Sequence, residues 1–597
     1  MGRVSPSARR TAVRRALPTP LARLRNLVTF DITRLYETLA ADHGDRPLLV
    51  PPTPLEYPGY DTAELTGRQL RDVGHRIANA LRAAGVTTNT RVVIVKRDHP
   101  DYLLYLYSAI AAGAVPVSVS PGTGWAYAAA VAERAGARFL LSDAETLGAP
   151  GGAEHVGRML DEGTTVLAVG TPSGTDDDAW WAGREGVVDF VDAVTAAPTT
   201  APPRRRIGKD TPLALFHTSG TTGSPKLCIW SRRNTYRIWK PMMPLLPVGS
   251  GSRAMLGVPF SHQIAFALGT AVLLCGARMS TASLYDPRAA LRRIEEERIS
   301  CVMAFPHLYM RMAGEDLDAY DLSSMKVWAV GADKAHAAHI AALTRHGSLR
   351  LPGRPRGSVF LDSYGSTEIG AGGIMQVWLP GDVPEPCVQG KPMPTQFGVR
   401  IVDERWQPVP DGTPGRILVR STSHFDGYWD DHTRWAESRI DGWWWGGDVG
   451  RLDGKGRLVF LDREADSVRT GAGVLYGLPV EERLLSHPRA LEAAVFSAAT
   501  DPHTGIGRAE AWVAPKGVLT RADLAALDES DRLVLEKELL ALAGDTGERP
   551  GLTAVRVVAL EQIPVGVTGK VLKRRLRELT AGGDELTSTE KGNSTDD

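Results

Sequence analysis

Phe216-His217-Thr218-Ser219-Gly220-Thr221-Thr222-Gly223-Ser224-Pro225-Lys226 closes an apolar run, Leu213 to Phe216, with five hydroxyls, two glycines and one lysine. A triphosphate asks for that mixture. Backbone N–H groups and hydroxyls donate to phosphate oxygens, glycines let the backbone come close, and the lysine neutralises charge. The pattern Gly-x-x-x-x-Gly-Lys-[Ser/Thr] is absent, so this is not a Walker loop.

Outward from the loop, apolar runs alternate with amphipathic ones. Thr66-x-x-Gln69 reads as a capping box, and Leu70, Val73, Ile77 and Leu81 mark one helical face behind it. Strands are predicted at Arg91–Val95, Val115–Val119 and Ala137–Leu141, with a helix over Asp101–Ala112. Further strands are predicted at Ala254–Pro259, Cys301–Phe305, Lys326–Val330 and Ser358–Leu361. Apolar strands separated by helices specify parallel sheets covered on both faces, an α/β fold. From about Val399 the texture changes to short strands and turns, a small β subdomain ending near Asp462, followed by a smaller α/β unit. The expected organisation is a basic arm over 1–30, a large N-terminal domain of αβα-layered sheets with its β subdomain over 31–465, a mobile α+β C-terminal domain over 466–580, and a disordered tail over 581–597.

Bulk properties exclude several function classes. The 597 residues suffice for more than one domain, and a hydrophobic content of 43% suits a large core. Lysine plus arginine equals aspartate plus glutamate at 69 each, which argues against a nucleic-acid partner. The four cysteines, Cys228, Cys275, Cys301 and Cys387, lie far apart, so neither a zinc site nor a disulfide framework is expected and a reducing cytoplasm fits. The uncharged stretch Tyr102–Ala132 is cut by Gly113, Pro116, Pro121 and Gly122 into pieces too short to span a membrane. The first thirty residues hold seven arginines and no acid but no apolar signal core, and read as a disordered arm.

Four more stretches follow the loop in order: Asp362-Ser363-Tyr364-Gly365-Ser366-Thr367-Glu368, Trp443 to Asp448, Leu461 to Arg469, and Pro564-Val565-Gly566-Val567-Thr568-Gly569-Lys570. Taken singly, each reads as a strand-end turn or a solvated loop. Together with the loop at 216–226 they resemble the adenylate-forming superfamily of acyl-CoA synthetases, aryl-acid ligases, peptide-synthetase adenylation domains and luciferases, over residues 35 to 579.

The resemblance implies ATP and Mg²⁺ as partners of the site, and it implies roles. Thr218, Ser219, Gly220, Thr221, Thr222, Gly223 and Lys226 would cradle the phosphates, with Thr218 also near the metal. Gly331, Ala332 and Asp333 would line the adenine pocket, Asp362 would accept from the adenine amine, and Tyr364 would cover the base, with Gly365 and Ser366 beside it. Thr367 would contact the α-phosphate, and Glu368 would offer Mg²⁺ a hard oxygen. Asp448 would accept the ribose hydroxyls, Arg463 would contact ribose or phosphates, and Asp466 would be the hinge. Gly471 lies in the loop implied for the second half-reaction, and Lys570 would reach the acyl carboxylate and α-phosphate. His262, in Val258-Pro259-Phe260-Ser261-His262-Gln263, would border the acyl pocket as a catalytic candidate, and Gly370 and Gly372 would leave room for a ring or bulky acyl group.

Departures from the family pattern cluster late. Gly446 stands where a Thr or Ser is usual, Asp462 replaces a glycine, Arg469 replaces a lysine, and of the two glutamates of the Pro-x-Glu-x-Glu ending only the first, Glu481, survives, with Arg483 in place of the second. The implied activity is ATP-dependent activation of a small carboxylic acid to an acyl-adenylate with loss of pyrophosphate, then transfer to a thiol, foremost coenzyme A. Delivery to a carrier protein, activation of a small oxyanion such as nitrite, and nucleotide binding without turnover are the alternatives.

Overall fold

The computed structural model describes residues 30–170, 179–204, 207–218, 225–242, 248–331, 333–393, 397–501, 503–544 and 551–581. The expected arm, apart from Phe30, the tail beyond Ala581, and loop residues Ser219, Gly220, Thr221, Thr222, Gly223 and Ala332 lie outside them. Two compact units are present: one holds residues up to Gly446, Gly450–Val459 and Val567–Lys570, and the other holds Gly447–Val449, Phe460–Gly566 and the residues from Val571 on.

The first unit contains two large sheets. A seven-stranded sheet runs, in spatial order, through Val187–Asp189, Thr165–Val169, Phe139–Asp143, Arg91–Val95, Val115–Val119, Pro212–Thr218 and Lys226–Ser231. Every pair in it is parallel except the last, where Thr218 lies across from Lys226. The second sheet has a parallel core of Arg278–Thr281, Arg253–Gly257, Cys301–Ala304, Val327–Val330 and Val359–Ser366. It continues through antiparallel strands Gly370–Trp378 and Val388–Pro392 toward the β subdomain, where Phe397–Val402 pairs with Gly415–Ser421.

Local chemistry sets these elements. Thr66 and Gln69 form the reciprocal capping box, and the helix Gly67–Ala83 buries Leu70, Val73, Ile77 and Leu81. The helix Asp101–Ala112 stops at Gly113, whose φ of 95° lies in the left-handed region a glycine tolerates. Its residues are buried almost throughout, which accounts for its apolar character all round. Among the described residues no helix is long and apolar enough to cross a membrane.

The second unit is built on the antiparallel pair Ala490–Thr500 and Gly507–Pro515, with Ala554–Val557 added in parallel. Helices Gly477–Leu484 and Glu529–Gly544 bury Leu484, Leu535 and Leu539 in its core with Val495 and Val513. A short hairpin, Val468–Thr470 with Gly473–Leu475, precedes them, and Gly471 stands exposed in its turn.

Candidate active site

Thr218, Gly331 and Asp333 stand at or just beyond the carboxyl ends of parallel strands, where open α/β sheets place ligands. Val330 pairs with Asp362, so Gly331 and Asp333, beyond one strand, lie beside the strand end Tyr364–Ser366 that leads into Thr367 and Glu368. The Val567–Lys570 segment comes to the same edge. Lys570 Nζ lies 3.7 Å from Asp333 Oδ1, and both side chains are about one-third exposed at 34% and 32%. A Cβ on Gly122, in the turn after Val115–Val119, would sit 2.9 Å from Val567.

Thr367 and Glu368 are held by the strand Lys226–Ser231 and by a loop around Phe425 and Tyr428, neither of which the sequence singled out for this role. Trp230 Nε1 donates to the Thr367 carbonyl at 3.1 Å, and the Phe425 N–H donates to the Glu368 carbonyl at 2.9 Å. Tyr428 donates its hydroxyl to Glu368 Oε1 at 3.2 Å. Burial, and then the Glu368 carboxylate, push the Tyr428 phenol well above its ordinary range, so it remains a donor. Glu368 thus presents one oriented carboxylate, and among the described residues no group of three or more metal-ligating side chains surrounds it. A single carboxylate suits Mg²⁺, which keeps waters and substrate phosphates as its other ligands.

Asp362 is fully buried and forms an ion pair with Lys334, which also donates to the Val388 carbonyl at 3.3 Å. Lys334 is the partner that motif matching missed. Its position one residue after Asp333 is the only signal that could have found it.

His262 caps the helix Gln263–Leu274, its Nδ1 accepting the Ile264 N–H at 3.2 Å. That bond fixes the tautomer, so a neutral ring carries its proton on Nε2. Burial, and the neighbouring His217, lower its pKa to about 3. His217 Nε2 accepts the Ser120 N–H at 3.3 Å, and burial lowers its pKa to about 4. Both imidazoles are therefore neutral N–H donors near pH 7. Gly370, with φ of 75°, is packed against Ile238, where a Cβ would come within 2.7 Å. Gly372 lies in the same strand, Gly370–Trp378.

In the second unit Arg463 Nε lies 3.5 Å from Asp448 Oδ1. Arg577 pairs with Asp466 at 3.2 Å. The departure at Asp462 has a structural account: its Oδ2 accepts the Gly477 N–H at 2.6 Å, and Lys573 Nζ lies 3.6 Å from Oδ1 and 2.9 Å from Glu481 Oε1.

Residues 36–429 match the family described as AMP-binding enzyme. The chain belongs to that family. Members similar to it include a 3-aminoavenalumate diazotase of Streptomyces sp, 32% identical over 63% of this chain and 68% of that protein. A feruloyl-CoA synthase of Amycolatopsis sp is 29% identical over 84% of this chain and 91% of its own. The fold is that of the anthranilate CoA ligase AuaEII, solved with anthranoyl-AMP, at a TM-score of 0.75, 19% identity and coverage of 93% and 98%. As an AMP-binding enzyme the chain is an AMP-forming ligase with the two-domain fold of adenylate-forming proteins.

Proposed function

We propose that this AMP-binding enzyme activates a carboxylic acid, aryl or acyl, as its adenylate and passes the acyl group to the thiol of coenzyme A. The observation that carries the reading is the approach of Lys570 to Asp333 at the strand edge that also carries Tyr364, Thr367 and Glu368. A carboxylate oxygen attacks the α-phosphorus of ATP in line, and pyrophosphate leaves. The protein's part is positioning and charge stabilisation. Lys226 and Thr218, facing each other across the strand pair, receive the leaving phosphates, together with the loop Ser219–Gly223. Glu368, aimed by Tyr428, would hold Mg²⁺, which neutralises phosphate charge when bound. Thr367 donates to the α-phosphate, and Lys570 stabilises the negative charge developing there.

Tyr364 takes the base, with Gly331 and Asp333 beside it, whereas Asp362 is fully buried against Lys334 and does not present its carboxylate to the adenine amine. Asp448 accepts the ribose hydroxyls, with Arg463 beside it. His262 offers its Nε2–H to the acid carboxylate, and Gly372 leaves width for a ring, whereas the space beside Gly370 is taken by Ile238 and not by substrate. Asp466 serves as the hinge that moves the C-terminal domain, proposed to span 466–580, between half-reactions, and Gly471 lies in the loop that then enters the site. Carboxylate-dependent ATP–pyrophosphate exchange over a panel of aromatic and aliphatic acids tests the first step, and formation of an acyl-CoA tests the second. Release of ADP would overturn the reading.

A second reading has one specific observation behind it. Two relatives carry the name diazotase, the Streptomyces sp protein and a 3-amino-2-hydroxy-4-methoxybenzoate diazotase of Streptomyces cremeus, 28% identical over 93% of this chain and 96% of its own. Activation of nitrite beside an aromatic amine would use the same nucleotide site. Nitrite-dependent AMP release with an aminobenzoate, and none with coenzyme A, selects it.

A further inference from the structure

The helix Pro306–Ala313 follows the strand Cys301–Ala304 and opens with Pro306 and His307. His307 is 6% exposed, and neither ring nitrogen has a hydrogen-bond partner among the described residues. The ring makes an edge contact with Tyr285 at 5.4 Å between centroids. Burial, and the nearby Arg311, lower its pKa to about 4, so it is neutral under ordinary conditions. A buried neutral imidazole presents its ring faces and Cβ as a packing surface.

Gly569 meets that surface. A Cβ built there would fall 2.3 Å from His307 Cβ and 2.7 Å from Cγ. Gly569 also has φ of 75°, which side chains other than glycine resist. The backbone one residue before Lys570 therefore rests directly on the His307 side chain. We propose that His307 is the positioning residue for Lys570, the seat on which the Gly569–Lys570 turn is held while the adenylate forms. Val567 against Gly122 makes the second support of the same segment, and the Lys570–Asp333 approach the third. The catalytic half of this inference rests on the proposed role of Lys570; the seat itself does not.

Two measurements separate these. In the nucleotide-free enzyme, Lys570 is acetylated with an N-hydroxysuccinimide ester and its rate read by peptide mass spectrometry against exposed Lys516. His307→Ala and Gly569→Ala each raise the Lys570 rate by about threefold or more, because the turn leaves its seat. An unchanged rate in both variants overturns the seat, whatever the activity. Pyrophosphate exchange and thiol transfer from supplied feruloyl-adenylate are then compared. Exchange falls roughly 10–100-fold at unchanged KM for ATP, and transfer from the supplied adenylate stays within about twofold. Equal losses in both half-reactions overturn the positioning role and leave a merely structural one. Faster labelling in the variants with no exchange by the wild type on any acid overturns the proposed function and leaves the seat standing.

Discussion

Lys570 Nζ stands 3.7 Å from Asp333 Oδ1, close enough to pair and loose enough to exchange that partner for a substrate anion. The two residues are separated by 237 positions of chain, and neither motif alone predicts their meeting. Removal of a pre-organised charge stabiliser costs roughly 10²–10³ in rate. Lys570→Ala should lose that much in pyrophosphate exchange while nucleotide binding, followed by calorimetry, changes far less. Asp333→Asn should cost less than Lys570→Ala, because it removes the resting partner and leaves the charge.

Glu368 and Tyr428 make a second test. The phenol donates to the carboxylate at 3.2 Å and orients it. Glu368→Gln removes the charge and should raise the Mg²⁺ concentration needed for half-maximal exchange by at least about tenfold. Tyr428→Phe keeps the charge and loses only one hydrogen bond that orients it, so the shift should be in the same direction and smaller. A Tyr428→Phe effect equal to that of Glu368→Gln would show that the phenol does more than orient.

Much of the scaffold was legible because its signals are local. Short β-branched runs such as Val92–Val95 read as strands covered on both faces, and Thr66 with Gln69 announces a helix start by its own hydrogen bonds. Strand ends were less legible: Val359–Ser366 runs on past Leu361 through polar Asp362 to Ser366, because its neighbour Gly370–Trp378 extends the pairing. The partners of the candidate residues were not legible. Lys334 meets Asp362, Tyr428 meets Glu368 and Lys573 meets Asp462 across long chain separations, and each pairing depends on strand order. His307 carried no signal at all, since only the close approach of Gly569 gives it meaning.

The β subdomain carries a stack whose contribution can be measured. Two guanidinium groups lie over the Trp443 ring, Arg400 at 4.7 Å and Arg420 at 4.9 Å from its centroid, and the ring packs with Val402 and Leu418. Each guanidinium is itself exposed, and a cation of that kind over a ring is worth about 0.5–1 kcal/mol. Arg400→Met and Arg420→Met should each lower stability to chemical denaturation by that amount, and Trp443→Ala by about 3–5 kcal/mol, with loss of packing as the larger part.

His217 gives the pH dependence a sign. Burial lowers its pKa from an ordinary 6.5 to about 4. Between these values the unfolded chain binds a proton that the folded protein refuses, so stability rises with pH across that window. The neutral ring's contribution is complete above about pH 6.5 and is lost as pH falls toward 4. From pH 6.5 to 5 the wild type should lose up to about 2 kcal/mol at this residue alone. His217→Gln, which cannot titrate, should lose less than the wild type over the same interval in denaturant titrations. An identical loss would mean that His217 is not the group responsible.

The cluster around Lys573 predicts an asymmetry. Although burial opposes it, the carboxylates of Asp462 and Glu481 hold the Lys573 ammonium above its ordinary range. Burial in turn raises the Asp462 pKa, with Lys573 opposing. Lys573→Met leaves two buried carboxylates facing each other without a cation, and breaking a buried pair in this way costs about 3–5 kcal/mol. Asp462→Gly, which restores the residue usual in the family, leaves Lys573 still paired with Glu481 at 2.9 Å and gives up the bond from the Gly477 N–H. It should therefore cost clearly less than Lys573→Met. In the double variant the Asp462 change should recover part of the Lys573→Met loss, because one of the two uncompensated carboxylates is gone. Strictly additive losses would mean that Asp462 is stabilised by Gly477 alone and that Lys573 belongs to Glu481.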